Sequence, residues 1–172
     1  MHKGYIQVYT GNSKGKTTAA LGLALRAAGA GLKIFIAQFI KKRRCSEHKA
    51  LERFSDLITL RQYGTGLLRG AEPTEQEVNA AKEGVKEIKE IVASSTYDLV
   101  ILDEINIAVH YHLVSSDDIL DLFDVKPSGV EMVLTGRYAD ERIIERADLV
   151  TEMNEIKHYI KKGVKARVGI EF

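Results

Sequence analysis

The sequence has one cysteine, Cys45, in 172 residues. A lone thiol excludes an internal disulfide and a cysteine-based metal centre and fits a reducing compartment, so a cytoplasmic location is expected. An excess of one charge is also missing, because 25 Lys and Arg against 24 Asp and Glu leave a net charge of +1. No global field draws the chain to nucleic acid or to an anionic membrane, and any anion binding has to be local. No apolar run approaches the roughly 20 residues that cross a bilayer, and the amino terminus has no charged-then-apolar leader. Neither a membrane nor a nucleic-acid partner is expected. There is no internal repeat and no linker. With 45% hydrophobic residues over this length, a single well-buried domain over residues 1–172 is expected.

One stretch organises what remains. Thr10-Gly11-Asn12-Ser13-Lys14-Gly15-Lys16-Thr17-Thr18 lies between an alternating strand over residues 4–9 and an alanine-rich helix over 16–30. Gly11 and Gly15 let the backbone turn tightly and bring N–H groups against an anion, and the helix adds its positive N-terminal end. Lys16 reaches phosphate oxygens as a point charge, and the Thr17 hydroxyl completes the coordination of a bridging Mg²⁺. A Walker loop has glycine, four residues, then Gly-Lys-Ser/Thr. Counting back from Gly15 puts Thr10 at the first position, so the loop beginning at Gly11 is one residue shorter. Its N–H groups are offered in a different register, and a triphosphate need not lie in the usual direction. A glycine turn that only starts a helix would not call for Lys16-Thr17-Thr18.

The helix over 16–30 is apolar nearly all round and is expected to be buried. With the first strand almost at the terminus, no preceding segment is expected to act as a lid. A second buried strand over 33–39 is followed by Lys41-Lys42-Arg43-Arg44, which is either a solvated loop or an anion-binding rim at the edge where open α/β sheets hold ligands. Ser46 is expected to cap a short helix reaching residue 54, and 57–62 reads as a third strand. The glycine-rich residues 63–70 read as unpacked chain and as the lid over the ligand edge. Thr74 and Glu77 form a capping box for a helix with Val78, Ala81, Val85, Ile88 and Val92 on one face.

Leu99-Val100-Ile101-Leu102-Asp103-Glu104 is a buried strand ending in two carboxylates. After a phosphate loop this is the Walker B arrangement, with Asp103 and Glu104 meeting Mg²⁺ directly or through water; the alternative is a helix cap. Asn106 either orients substrate or bonds backbone. His110 and His112 point to different helix faces, so metal ligation by the pair is not expected. A strand over 131–135 delivers Thr135-Gly136-Arg137 to the same edge, where Arg137 binds phosphate or a substrate carboxyl or amide, or else makes a surface ion pair. A helix over 139–147, a strand over 149–153 and a basic alternating pair over 156–160 and 164–170 complete the chain. Strands alternating with helices argue for a P-loop α/β domain with a mainly parallel sheet and helices on both faces.

Gly11 to Ala20, Gln38-Phe39-Ile40-Lys41, Asp98 to Asn106, Thr135-Gly136-Arg137, Ala147 to Met153 with Lys157-His158, and Gly169-Ile170-Glu171-Phe172 resemble the ATP:corrinoid adenosyltransferases of the CobA/BtuR type. The resemblance runs from the first strand to the last residue. It implies a RecA-like fold, a homodimer, and transfer of the 5′-deoxyadenosyl group of ATP to the cobalt of a reduced corrinoid with release of triphosphate. It also implies ATP held reversed along its loop, so that the 5′-carbon faces the acceptor. Cobalt(I) is itself the nucleophile, so no general base is needed and catalysis reduces to positioning and leaving-group stabilisation. On this reading Gly11, Asn12, Ser13, Lys14, Gly15, Lys16, Thr17 and Thr18 hold the triphosphate, and Asn106 and Arg137 complete the nucleotide site. Thr17, Asp103 and Glu104 organise Mg²⁺, and Lys16, Thr17 and Glu104 are the catalytic set.

The chain has no flavin motif, which implies an external reductant for cobalt(II). Ser13 stands where family members commonly have glycine. After a Gly-Thr-Gly like residues 64–66, members often carry a Phe and a Trp two residues apart that displace the lower axial ligand; Leu67 and Arg69 stand there, and the chain has no tryptophan. Longer members have an N-terminal extension over the corrinoid site, and none is expected here. Two other classes remain open: a RecA-like ATPase using 41–44 against nucleic acid, and an ATP-binding regulatory protein that has lost adenosyl transfer. The first should show a broad basic face and stacking aromatics, which are not found. The second should bind ATP without forming triphosphate.

Overall fold

The computed structural model describes residues 3–41, 44–66 and 72–172. Within them β1 (Ile6–Thr10), β2 (Ile34–Gln38), β3 (Ile58–Gln62), β4 (Leu99–Asp103), β5 (Glu131–Thr135) and β6 (Leu149–Glu152) form one sheet in the order β3-β2-β4-β5-β1-β6. Every pairing is parallel. Parallel neighbours need long crossovers. These are built from α1 (Lys16–Gly29), α2 (Ser46–Leu51), α3 (Glu75–Ala93), α4 (Ile105–His110), α5 (Ser116–Val125) and α6 (Glu141–Arg146).

Because both sheet faces are covered, β2 and β4 are buried along their whole length and are apolar runs rather than alternating ones. Successive side chains then separate into two cores. Phe35, Leu102 and Leu134 face the α3 residues Val85 and Ile88. Their sequence neighbours Ile36, Ile101 and Val133 face Ala20 and Ala24 of α1.

Helix α1 corrects the expectation of burial all round. Its alanines at 20, 24, 27 and 28 are buried, while Leu25 is 46% exposed. A single sheet lies beneath it, so one narrow alanine face is covered. Helix α3 follows the capping-box reading: Thr74 Oγ1 accepts from the Glu77 N–H at 3.3 Å, and the Glu77 carboxylate accepts from the Thr74 N–H at 2.7 Å. Helix α2 is capped by Cys45, not Ser46, because the His48 ring accepts the Cys45 N–H at 2.7 Å. The Ser46 hydroxyl donates instead to the Phe172 carbonyl at 3.1 Å.

The glycine-rich segment begins as packed structure, contrary to the sequence reading. Tyr63 stacks on Phe39 at 5.6 Å, and the Gly66 N–H donates to the Ile40 carbonyl at 3.1 Å. Gly64 lies so close to the Ile40 backbone that a Cβ there would collide with it. The lid residues 67–70, with Leu67 and Arg69, fall outside the described residues.

The C-terminal pair of alternating strands is not formed. Tyr159–Lys162 is a 3-10 turn and the rest is irregular, with Ile156, Ile160 and Val168 exposed. Alternation alone does not hold two short strands together without a sheet or core to pack on. No helix among the described residues is long and apolar enough to cross a membrane.

Candidate nucleotide and metal site

Parallel register sets Gln38 beside Asp103, Tyr9 beside Thr135, and Thr10 beside Glu152. The polar ends of five strands are thereby brought to the edge where α1 begins. Strand β5 stands between β1 and β4, and its Thr135 fills the intervening position. The Thr135 hydroxyl donates to Asp103 Oδ1 at 2.7 Å and accepts the Glu104 N–H at 3.0 Å.

The loop leans on the chain that follows β6. Ser13 N–H donates to the Met153 carbonyl at 3.0 Å, and Met153 N–H donates to the Thr10 carbonyl at 2.9 Å. Gly11, at φ 93, is required twice over: the angle is left-handed, and a Cβ would run into the Met153 backbone. Gly15 caps α1 at φ 122. Lys16 is buried and folds over the loop, donating to the Gly11 and Ser13 carbonyls at 2.7 Å each. Burial lowers its pKa, with Glu104 and Asp103 opposing that effect and Arg137 adding to it. Asn12 and Thr18 are exposed. Lys14 is exposed as well, and its ammonium is engaged by the chain end, at 2.7 Å from the Ile170 carbonyl and 2.9 Å from Glu171.

Asp103 is 1% exposed and receives four hydrogen bonds. Thr17 at 2.8 Å and Thr135 at 2.7 Å donate to Oδ1, and Gln38 at 2.9 Å and Lys41 at 3.1 Å donate to Oδ2. Burial pushes this carboxyl up, but the Lys41 ammonium and the bonds from Gln38, Thr135 and Thr17 outweigh it and hold the group below its usual range. Glu104 lies just beyond the strand as the left-handed N-cap of α4, at φ 62. Burial and the neighbouring Asp103 charge raise its pKa against Lys41, Lys16 and Arg137.

Of the two readings of Asn106, the structure shows the backbone bond: its amide donates to the Gly136 carbonyl at 3.3 Å, leaving Oδ1 buried without a partner among the described residues. Arg137 is exposed and makes no ion pair among the described residues, and its charge reaches Lys16 and Glu104. The basic run divides. Lys41 belongs to the site, with a side chain only 25% exposed, whereas Arg44 pairs with Glu52 at the surface. Lys42 and Arg43 lie outside the described residues.

Cys45, Glu47 and His48 bring ligand atoms within 4.8 Å of one another. Both ring nitrogens of His48 are in use, one accepting the Cys45 N–H and the other 2.8 Å from Gln38 Oε1. The atoms at the strand ends suit a different ion. Thr17 donates to Asp103 and so keeps its oxygen as an acceptor, faced here by the Lys41 ammonium at 3.4 Å, and Asp103 and Glu104 supply carboxylate oxygens. An oxygen-only donor set fits a hard cation such as Mg²⁺.

The chain matches the profile of the family described as ATP:corrinoid adenosyltransferase BtuR/CobO/CobP over residues 2–172. It belongs to this family. It is 34% identical to the corrinoid adenosyltransferase of Pseudomonas aeruginosa over 171 residues, 99% of this chain and 84% of that protein. It is 37% identical to the corrinoid adenosyltransferase of a Sinorhizobium species over 173 residues, 99% of this chain and 81% of the relative. With the Escherichia coli K12 corrinoid adenosyltransferase the identity is 35% over 171 residues, 99% of this chain and 86% of the relative. Among solved structures, the KaiC-like protein PH0186 of Pyrococcus horikoshii OT3 superposes with a TM-score of 0.58 at 16% identity, covering 91% of this chain and 75% of that one. That likeness concerns the fold alone, a RecA-like P-loop sheet.

The segments that resemble the adenosyltransferases are the ones that build this edge. Gln38-Phe39-Ile40-Lys41 supplies two of the four donors to Asp103, Thr135-Gly136-Arg137 a third, and the phosphate loop the fourth through Thr17. The Gly169 to Phe172 end ties Lys14 and Ser46. Sequence reasoning about chemistry missed Gln38, Thr135 and the Met153 carbonyl, and left Lys41 undecided. The available signal was a polar residue closing each of two apolar strands, Ile34–Gln38 and Glu131–Thr135.

Proposed function

We propose that this protein transfers the 5′-deoxyadenosyl group of ATP to the cobalt(I) of a reduced corrinoid and releases triphosphate, within a single domain. The observation that carries the reading is the short phosphate loop facing the Thr17 to Asp103 contact in a chain that matches the adenosyltransferase family over residues 2–172. In the reaction the bond from the 5′-carbon to the triphosphate oxygen breaks and a cobalt–carbon bond forms. Cobalt(I) supplies the electron pair of the new bond, and triphosphate leaves with the pair of the old one. No proton moves, so Glu104 has no base to be.

The chain's own residues then position ATP and stabilise the leaving group. The loop from Gly11 to Thr18 wraps the triphosphate with its N–H groups. Lys16 exchanges the Gly11 and Ser13 carbonyls for phosphate oxygens, and Asn12 and Lys14 meet the nucleotide from the exposed side. Asn106 and Arg137 line the neighbouring edge, with Arg137 free to reach an anion. Thr17, Asp103 and Glu104 would hold Mg²⁺, which supplies positive charge to the departing triphosphate. The protein works in the cytoplasm as a homodimer, with cobalt(II) reduced by an external donor.

The test is an anaerobic incubation of protein, Mg²⁺ and ATP with chemically reduced cob(I)alamin, following the visible spectrum and identifying the phosphate product. A cobalt–carbon bond with free triphosphate is the expected result. ATP bound but unreacted, or split to ADP and phosphate, would instead assign a binding protein or an ATPase on this fold.

A further inference from the structure

Lys41 reaches the site through a strained turn. Its N–H donates to the Phe39 carbonyl at 2.6 Å, and Ile40 between them sits at φ 64. This is a three-residue turn whose central, β-branched residue is left-handed, a costly arrangement that persists only where its surroundings enforce it. They do so here. Ile40 is buried, its carbonyl takes the Gly66 N–H at 3.1 Å, and Gly64 is pressed against its backbone. The strain aims the next side chain back over the strand ends, placing the Lys41 ammonium 3.1 Å from Asp103 Oδ2 and 3.4 Å from Thr17 Oγ1. Among the described residues it is the one cation in contact with Asp103.

We propose that Lys41 is the resident countercharge of the metal site: it balances Asp103 and aims it before the metal-nucleotide arrives, yields that place to Mg²⁺, and carries its charge to the triphosphate. The proposal rests on reading Thr17 and Asp103 as Mg²⁺ ligands. A small divalent cation takes oxygens at about 2.0–2.1 Å, and an ammonium bonded to the same two side chains cannot stay beside it against like-charge repulsion in a half-buried site. The lysine has somewhere to go, since its side chain is 25% exposed and long enough to swing about its stem. Mg²⁺ alone must evict the ammonium without compensation, whereas Mg²⁺ with ATP offers it phosphate oxygens. The metal therefore enters with the nucleotide and not ahead of it.

Mn²⁺ binding followed by electron paramagnetic resonance tests this in the unmodified protein and in Lys41→Met, with and without ATP. Without ATP, Mn²⁺ should bind Lys41→Met at least ~10-fold more tightly than the unmodified protein, a factor typical of coupling between neighbouring sites. Mn²⁺ alone should also raise the melting temperature of the variant and leave that of the unmodified protein in place. Equal Mn²⁺ affinities, with Mn²⁺·ATP still bound to both proteins, would overturn the countercharge and leave the metal reading standing. Mn²⁺·ATP binding that is indifferent to Asp103→Asn would remove the metal reading and the proposal with it. Should Lys41→Met not fold, the side-chain ¹⁵N signal of Lys41 in the unmodified protein decides: it should shift when Mg²⁺ and ATP are added together and stay for Mg²⁺ alone, and a signal unmoved by both overturns the proposal.

Discussion

Asp103 and Glu171 are both carboxylates that collect several donors and are held below their ordinary pKa, yet they belong to regions of different construction. Asp103 is buried at a strand end, and the partners Gln38, Thr135 and Thr17 are placed by β2, β5 and the start of α1. Glu171 lies in irregular chain, where Arg167, Tyr159 and Lys14 bond to it. Around Asp103 the sheet register fixes the geometry before any ligand is met. Around Glu171 three side chains and the Arg167 amide fix it, with no strand register behind them, beside exposed Ile156, Ile160 and Val168. The first region is preorganised for charge, whereas the second holds the phosphate loop through Lys14 and should part from it with the sheet left in place.

Four substitutions bear on that contrast. The strongest effect should come from Lys16→Ala, which removes a charge from the preorganised side: adenosyl transfer should fall at least ~100-fold, the order seen when one transition-state stabiliser is lost. A smaller loss measured in the reduced-corrinoid assay would mean that the loop amides suffice. Gly11→Ala should cost about 1–3 kcal/mol in urea unfolding, because the left-handed angle and the Met153 backbone both oppose a Cβ. A value near zero would show that the loop and the chain after β6 separate easily, and would sharpen the contrast.

Glu104→Gln should raise the Mg²⁺ concentration needed for half-maximal rate by about tenfold, roughly 1.4 kcal/mol of binding. A large fall in rate at unchanged Mg²⁺ dependence would make Glu104 something other than a metal-site residue. The mildest change belongs to the C-terminal side. Glu171→Gln should leave Lys14 held by the Ile170 carbonyl without an ion pair and speed exchange of the Arg167 amide, which donates to Glu171 at 2.7 Å, while the melting temperature of the sheet stays in place. Acid should do the same. The folded-state pKa of Glu171 lies below its ordinary 4.5, so the contribution of its bonds to Arg167, Tyr159 and Lys14 is complete above that pH and is lost as the pH falls below it. Amide exchange read across that range should loosen residues 153–172 ahead of β4 and β5.

Much of the frame was legible because its signals are local. The apolar runs of β2 and β4, the Thr74 and Glu77 cap, and the Gly11 to Thr18 loop each announce themselves within a few residues, and all appear where expected. The C-terminal alternation misled because period two reports a strand only where another strand or a core is present to receive it. Burial of α1 was overstated for a related reason: composition counts apolar residues but not the layers available to cover them. Lys41 was undecided because a run of four basic residues has the same composition whether it faces water or a carboxylate.

By itself the sequence determined the six strands of the sheet, the short phosphate loop, the paired carboxylates and the family. Tertiary structure alone decided which donors meet Asp103. Gln38, Lys41 and Thr135 lie 65, 62 and 32 residues from it along the chain. They converge because parallel register aligns strand ends that no local pattern connects, and because a left-handed Ile40 turns the chain at the point where a lysine follows.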